Sequence, residues 1–214
     1  MSHEIRTPLN AIIGFSSLLG STENAAEKEF YNSQISHNNK LLLDLINNVI
    51  DLSKIESGYL ELHPDWVNLT ELLDESVAEH IHQVPSGVEL LTHYPEHDSL
   101  AELDRPRIKL ILRNFLSNAL KNTTTGYVEV FYEVDRQFVR IGVKDTGRGI
   151  PQNMLEKIFE RFEKLDSFAQ GAGLGLSICK LIVEKMNGRI IVDSQLGTGP
   201  TFVIELPCHS MPVE

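Results

Sequence analysis

Up to about residue 57, hydrophobic residues recur at helical spacings without strand-like alternation. From Trp66 onward, short alternating runs are interleaved with helical ones. In the first stretch Ile5, Leu9, Ile12, Ser16 and Leu19 follow one another at alternating steps of four and three, until Gly20 and the Ser-Thr-Glu-Asn after it interrupt the pattern. In the second, Ile35, Leu42 and Val49 lie seven apart, with Leu45 and Leu52 interleaved and Asn38 as the polar member of that row. The spacing predicts two helices joined by a brief loop, and so an antiparallel hairpin. A hairpin has only half the helices of a bundle, and a second copy would bury its seam in a homodimeric four-helix bundle. The competing expectation is a hairpin packed on the chain's own second domain. The change of pattern near Gly58 to Asp65 divides the chain into residues 1–60 and 61–214.

The second region reads as mixed α/β. Asn68 followed by Glu71 forms a capping-box pattern ahead of LLDESVA, and Asp104-Arg-Pro106 opens a longer helical run, IKLILRNFLSNALK. YVEVFYEV and FVRIGVKD alternate as one strand pair, while RIIVDSQ and TFVIELP form a second around Gly197-Thr-Gly199. The predicted class is α+β: an antiparallel helical hairpin, half of a dimeric four-helix bundle, followed by an α/β sandwich with a mixed sheet and helices on one face.

Composition narrows the partners. Nineteen basic residues against thirty acidic ones give a formal charge of −11, a poor match for nucleic-acid phosphates or an anionic membrane. Phosphate contact must then be local. Cys179 and Cys208 lie in apolar stretches without metal-ligand spacing, as suits a reducing compartment. No apolar run reaches the roughly 20 residues that span a bilayer, and no signal-peptide pattern opens the chain, so the expectation is a soluble piece.

Four stretches carry chemistry. His3 lies off the apolar seam of the first helix, beside Glu4 and four residues before Thr7. Neutral imidazole is a competent nucleophile near neutral pH, and an adjacent carboxylate can accept its proton. Alone, a histidine followed by a glutamate is more often plain surface. Pro8 removes the amide that would bond the Glu4 carbonyl and loosens the helix there. Zinc of the HExxH kind is excluded, because Thr7 stands where the second histidine belongs. Next, Asp145-Thr-Gly147-Arg-Gly149 follows a strand, where the aspartate can accept from a purine amine and the glycines let backbone approach a flat ligand; a simple tight turn explains the glycines equally well. An aspartic-protease reading of Asp-Thr-Gly lacks its second lobe. Third, Gly171-Ala-Gly173-Leu-Gly175 opens a helix whose amides can meet a phosphate, although Leu176 breaks the dinucleotide fingerprint. Fourth, Asn114, Asn118 and Lys121 share one face of an otherwise apolar helix, where amide oxygens can ligate magnesium and the lysine adds charge. A solvated polar face is the competing reading.

Taken together and in this order, these stretches resemble the sensor histidine kinases of two-component signalling. HEIRTPL resembles their phosphoacceptor box, RNFLSNALK their N box, DTGRG their G1 box, IFERF their F box and GAGLGL their G2 box, and the stretch LDSFAQGAGLGLSICK is similar to kinases of the hybrid kind. The resemblance implies a dimerising hairpin bearing the histidine, joined to a Bergerat-type ATP-binding domain. On it, His3 takes the γ-phosphoryl group, Glu4 is the assisting base, and Thr7 helps orient water for dephosphorylating a partner. Asn118 ligates Mg2+, Asn114 and Lys121 contact phosphates or support that site, and Asp145 reads adenine. Lys164 corresponds to a basic lid residue, while Gly147, Gly149, Gly171, Gly173 and Gly175 shape the pocket and hinge its lid. Phe159 and Phe162 are lid anchors or plain core. The implied cofactors are ATP and Mg2+, and the implied partners are a second copy and a response-regulator receiver domain, with no nucleic acid. The implied location is the cytoplasm, with membrane attachment only through other parts of a longer parent, of which this chain would be the catalytic core.

Some departures from the family pattern limit the resemblance. Asn122 stands where an aromatic residue often lies near adenine, Ala172 replaces a common hydroxyl residue, and the stretch between Asp166 and Gly171 is short. Asn122 and the short stretch lean slightly toward a degenerate dimer that binds nucleotide without transferring phosphate, while the intact His3, Glu4, Asn118, Asp145 and five glycines oppose it. A nucleotide clamp related to topoisomerases would have no use for the hairpin histidine.

Overall fold

The computed structural model of the chain describes residues 2–135, 137–163 and 173–212. The chain divides into two compact units, one of residues 1–60 with 161–175, the other of residues 61–160 with 176–214.

The first unit is built on a helical hairpin. Helix α1 spans Ser2–Ser21 and α2 spans Ala25–Glu56. Asn24 caps α2, its side-chain oxygen accepting from the amides of Ala26 and Glu27 and so satisfying donors the helix cannot. The expected α2 seam is observed: Leu45 and Leu52 are buried, Ile35, Asn38, Leu42 and Val49 half-buried, and Asn38 donates to the Gln34 carbonyl at 2.8 Å. On α1 the seam is rotated from the expected one. Pro8 is buried and Ile12, Phe15 and Leu19 half-buried, whereas Leu9 and Ser16 are exposed. Phe15 decides the rotation, because its ring packs on Phe30 and Tyr31 of α2 with centroids 6.1 and 6.0 Å away. Within this unit Arg161 pairs with Glu56 at the end of α2.

The second unit is a mixed sheet covered by helices. Its elements in chain order are β1 (Asp65–Asn68), α3 (Leu69–Ala78), β2 (Val88–His93), β3 (Ser99–Leu103), α4 (Arg105–Asn122), β4 (Gly126–Val134), β5 (Phe138–Asp145), α5 (Gly175–Lys185), β6 (Arg189–Gln195), β7 (Gly199–Pro207) and β8 (Ser210–Pro212). The large sheet runs β2-β4-β5-β7-β6, parallel only between β2 and β4; a small antiparallel sheet runs β1-β3-β8. The predicted capping pattern at Asn68 is present, its side chain accepting from the Glu71 amide at 3.2 Å. Asp104 caps α4 through Arg107 N and also accepts from His63 N at 2.9 Å.

Alternation sets the sheet's faces. Val128, Val130 and Tyr132 of β4, Val139, Ile141 and Val143 of β5, and Phe202, Ile204 and Leu206 of β7 are all buried and lie in matching register. Against them the helices bring Ile108, Ile111, Leu112, Phe115 and Leu116 of α4 and Ile178, Cys179, Ile182 and Val183 of α5, and the Phe115 ring meets that of Phe202 at 5.2 Å. On the opposite face Phe131 lies over Gly142, its cross-strand partner; a Cβ at Gly142 would come within 2.3 Å of the ring. Four strands lie outside those expected: β1, β2, β3 and β8. Three of them form the small sheet, where runs of three to five residues are too short for alternation to stand out.

Candidate functional site

Asp145 is the last residue of β5 and only 3% exposed. One oxygen of its carboxylate accepts the Gly147 amide at 2.8 Å and the Thr123 hydroxyl at 3.3 Å. Burial pushes its pKa up to about 6, against the opposing pull of these two donors. Thr123, which sequence reasoning missed, follows α4 directly and so ties the end of the asparagine-bearing helix to the glycine loop. The only signal for it was its place after that helix.

The glycines after Asp145 permit close backbone approach. A Cβ at Gly147 would lie 2.4 Å from the Asn122 carbonyl oxygen, and one at Gly149 would lie 2.1 Å from that of Gln195. Gly149 also has a φ of +74°, a conformation that glycine adopts without strain. Thr146 pins the loop to β4: its hydroxyl accepts from Tyr127 N at 2.9 Å, and its amide donates to the Tyr127 carbonyl at 3.1 Å.

On α4, Asn114 and Asn118 are half-buried and Lys121 is exposed, on the shared face that the spacing predicts. Asn114 donates its amide to the Leu110 carbonyl at 2.9 Å. Asn122 folds back on its own helix and donates to the Asn118 carbonyl at 2.7 Å. The structure therefore brings Asn118, Asn122, Asp145 and Gly147 together around the end of α4. No group of three or more acidic, histidine or cysteine side chains among the described residues could hold a metal ion. An amide such as Asn118 suits magnesium that keeps most of its ligands as water and phosphate oxygen.

In the other unit, Phe162 N donates to the Gly173 carbonyl at 2.9 Å, and a Cβ at Gly173 would lie 2.7 Å from the Glu163 carbonyl oxygen. Gly175 opens α5. Phe159, in the same unit as Asp145, is half-buried with the Lys180 ammonium 5.8 Å from its ring centre, whereas Phe162 in the first unit is 39% exposed. Lys164 and Gly171 lie outside the described residues, as do Asp166 and Ala172. His3 falls within α1, but its side chain also lies outside what is described; Glu4 and Thr7 sit in the first two turns, half-buried and exposed respectively.

Two family models match this arrangement. The His Kinase A (phospho-acceptor) domain matches residues 1–58, and the histidine kinase-, DNA gyrase B-, and HSP90-like ATPase matches residues 103–210. The chain belongs to the sensor histidine kinases. Among relatives in this family, hybrid signal transduction histidine kinase B of Dictyostelium discoideum is 35% identical over 97% of the chain and 11% of its own length. The sensor protein EvgS of Escherichia coli K12 is 33% identical over 97% of the chain and 18% of its own length. The chain thus spans a small part of these curated relatives. Among solved structures, full-length ShkA in complex with AMPPNP superimposes with a TM-score of 0.77 at 31% identity, over 99% of this chain and 45% of that one. The histidine kinase ThkA, solved with the response regulator TrrA, does so with a TM-score of 0.73 at 28% identity, over 96% and 59%. No described helix of this histidine-kinase chain is long and apolar enough to cross a membrane.

Proposed function

We propose that this chain is an ATP-dependent protein-histidine autokinase whose His3 accepts the γ-phosphoryl group and passes it to an aspartate of a response-regulator receiver domain. The observation that carries the reading is the buried Asp145 carboxylate, clasped by Gly147 and Thr123 beside the asparagine-bearing end of α4. A buried acceptor at a strand end, next to backbone stripped of side chains, suits the exocyclic amine and flat face of adenine. Supporting it, both family models match in the expected order, and a similar solved protein carries AMPPNP.

On this reading residues 1–60 are the dimerisation and phosphotransfer hairpin and residues 61–214 the ATP-binding domain. Asn118 holds Mg2+, which neutralises phosphate charge when bound, and Asn114 and Lys121 support the phosphates. Gly147 and Gly149 let the loop lie against the nucleotide, while Gly171, Gly173, Gly175 and Lys164 belong to the lid. In the transfer a ring nitrogen of His3 bonds to the γ-phosphorus as the bond to the bridging oxygen of the β-phosphate breaks. ADP leaves, and Glu4 takes the imidazole proton. Positioning supplies most of the rate, since little covalent work falls to other groups. Thr7 orients water in the reverse sense, for dephosphorylation of the receiver. The hairpin pairs with a second copy, and the core works in the cytoplasm, where ATP is supplied.

Incubation with magnesium and γ-labelled ATP tests the proposal. Label that is lost in acid, kept in alkali and absent from His3→Gln supports a histidine autokinase. ATP binding without any such label would overturn autokinase activity and leave a nucleotide-binding signalling dimer.

A further inference from the structure

The loop that carries Asp145 does not stand alone, because the turn between β6 and β7 is fastened to it along its length. Ser194, 2% exposed on the inner face of β6, accepts the Ile150 amide on its hydroxyl at 2.8 Å, and its carbonyl accepts from the Gln152 side chain at 2.9 Å. Gly197 N donates to the Arg148 carbonyl at 2.9 Å. Gly149 leaves no room for a Cβ against Gln195, and a Cβ at Gly199 would lie 1.8 Å from the Asp145 carbonyl oxygen and 2.8 Å from Gly147 N. The backbone on both sides of the buried carboxylate is therefore set by residues 194–199, some fifty positions away in sequence.

We infer that Ser194 is a positioning residue for base recognition: through Ile150 and the β6–β7 turn it fixes where the Asp145 carboxylate sits, and so sets the preference for a purine bearing an exocyclic amine. The inference rests on the proposed role of Asp145 in holding adenine. Ile150 is itself buried, 5% exposed, so loss of the Ser194 hydroxyl leaves its amide without an acceptor and releases the loop at one end.

The decisive measurement is calorimetric binding of ATP and of purine riboside triphosphate, which lacks only the 6-amino group, to the full chain and to Ser194→Ala. The wild type is expected to prefer ATP. In S194A, ATP binding should weaken by about tenfold, the order expected for one unsatisfied buried donor, while the analogue weakens by less than about threefold. Equal losses for the two ligands would reduce Ser194 to general scaffolding, and unchanged ATP binding would remove it from the site; either overturns the inference. Failure of the wild type to bind ATP, or to prefer it over the analogue, would instead overturn the role given to Asp145. Should S194A not fold, Ser194→Cys keeps the volume with a weaker acceptor and is judged by the same two ratios.

Discussion

Asp145, the proposed acceptor for a base, is also a buried acid, and that second role can be measured without any ligand. Its folded pKa of about 6 stands above the ordinary 3.8, because burial disfavours the charge. Over that interval the folded chain holds more protons at this site than the unfolded chain. Stability from this group is therefore fully present below about pH 4 and is lost as pH rises through about 6. An asparagine does not titrate, so the melting temperature of wild type relative to Asp145→Asn should fall from pH 5 to 7.5 and level off above about pH 7. A constant or rising difference would show that the carboxyl is not desolvated. Two nearby glycines allow a second comparison. Gly197 and Gly199 share positive φ values of +86° and +82°, yet a Cβ at Gly197 meets nothing within 4 Å, while one at Gly199 meets the Asp145 backbone. Gly197→Ala should destabilise by about 1 kcal/mol through φ alone. Gly199→Ala should lose at least about 2 kcal/mol more, because backbone must shift; urea denaturation of the two variants checks the gap.

At the scale of elements, α4 matters because its far end delivers Asn118 and Thr123 to the site, and its near end is set by Asp104. That side chain is 3% exposed and uses both oxygens, one on the Arg107 amide and one on the His63 amide across 41 residues. Asp104→Ala should cost about 1–2 kcal/mol in urea denaturation, the sum of a lost cap and a lost bond to the partly buried His63 amide. Asp104→Asn keeps one acceptor and should cost about half as much; equal losses would show that the charge rather than the bonding matters. Asp104 before Arg-Pro was legible as a helix start because capping is local in sequence, as were the long alternating strands β4, β5, β6 and β7. The small sheet was not, for β1 and β8 gain strand geometry only from their pairing with β3. The same division holds at the site. Asp145 and its glycines announced themselves by spacing, whereas Thr123 and Ser194 act through bonds made across the fold that no local pattern encodes.

For the whole molecule, the hairpin's uncovered side is the outstanding physical fact. Leu9 and Ile13 on α1 and Leu43, Ile46 and Ile50 on α2 are between 42% and 61% exposed. The rotation of α1 that seats Pro8 and Phe15 against α2 leaves Leu9 on this outer side, with Ile13 one turn further along the helix. Ile46 and Ile50 lie one turn apart on one face of α2. A two-fold dimer would bury the pair on both copies, four aliphatic side chains in all, and because these are only 42–46% exposed beforehand each gains about half of 1.5–3 kcal/mol. That total, about 3–6 kcal/mol, falls short of the roughly 8 kcal/mol of a micromolar association, so Leu9, Ile13 and Leu43 have to be covered as well. The double substitution Ile46→Glu/Ile50→Glu also sets like charges against each other across the axis. It should convert a sedimenting dimer to a monomer at tens of micromolar chain, while circular dichroism stays helical because these side chains are already half in water. A wild type that sediments as a monomer at the same concentration would leave the outer stripe uncovered in solution and would defeat the four-helix-bundle reading of the hairpin.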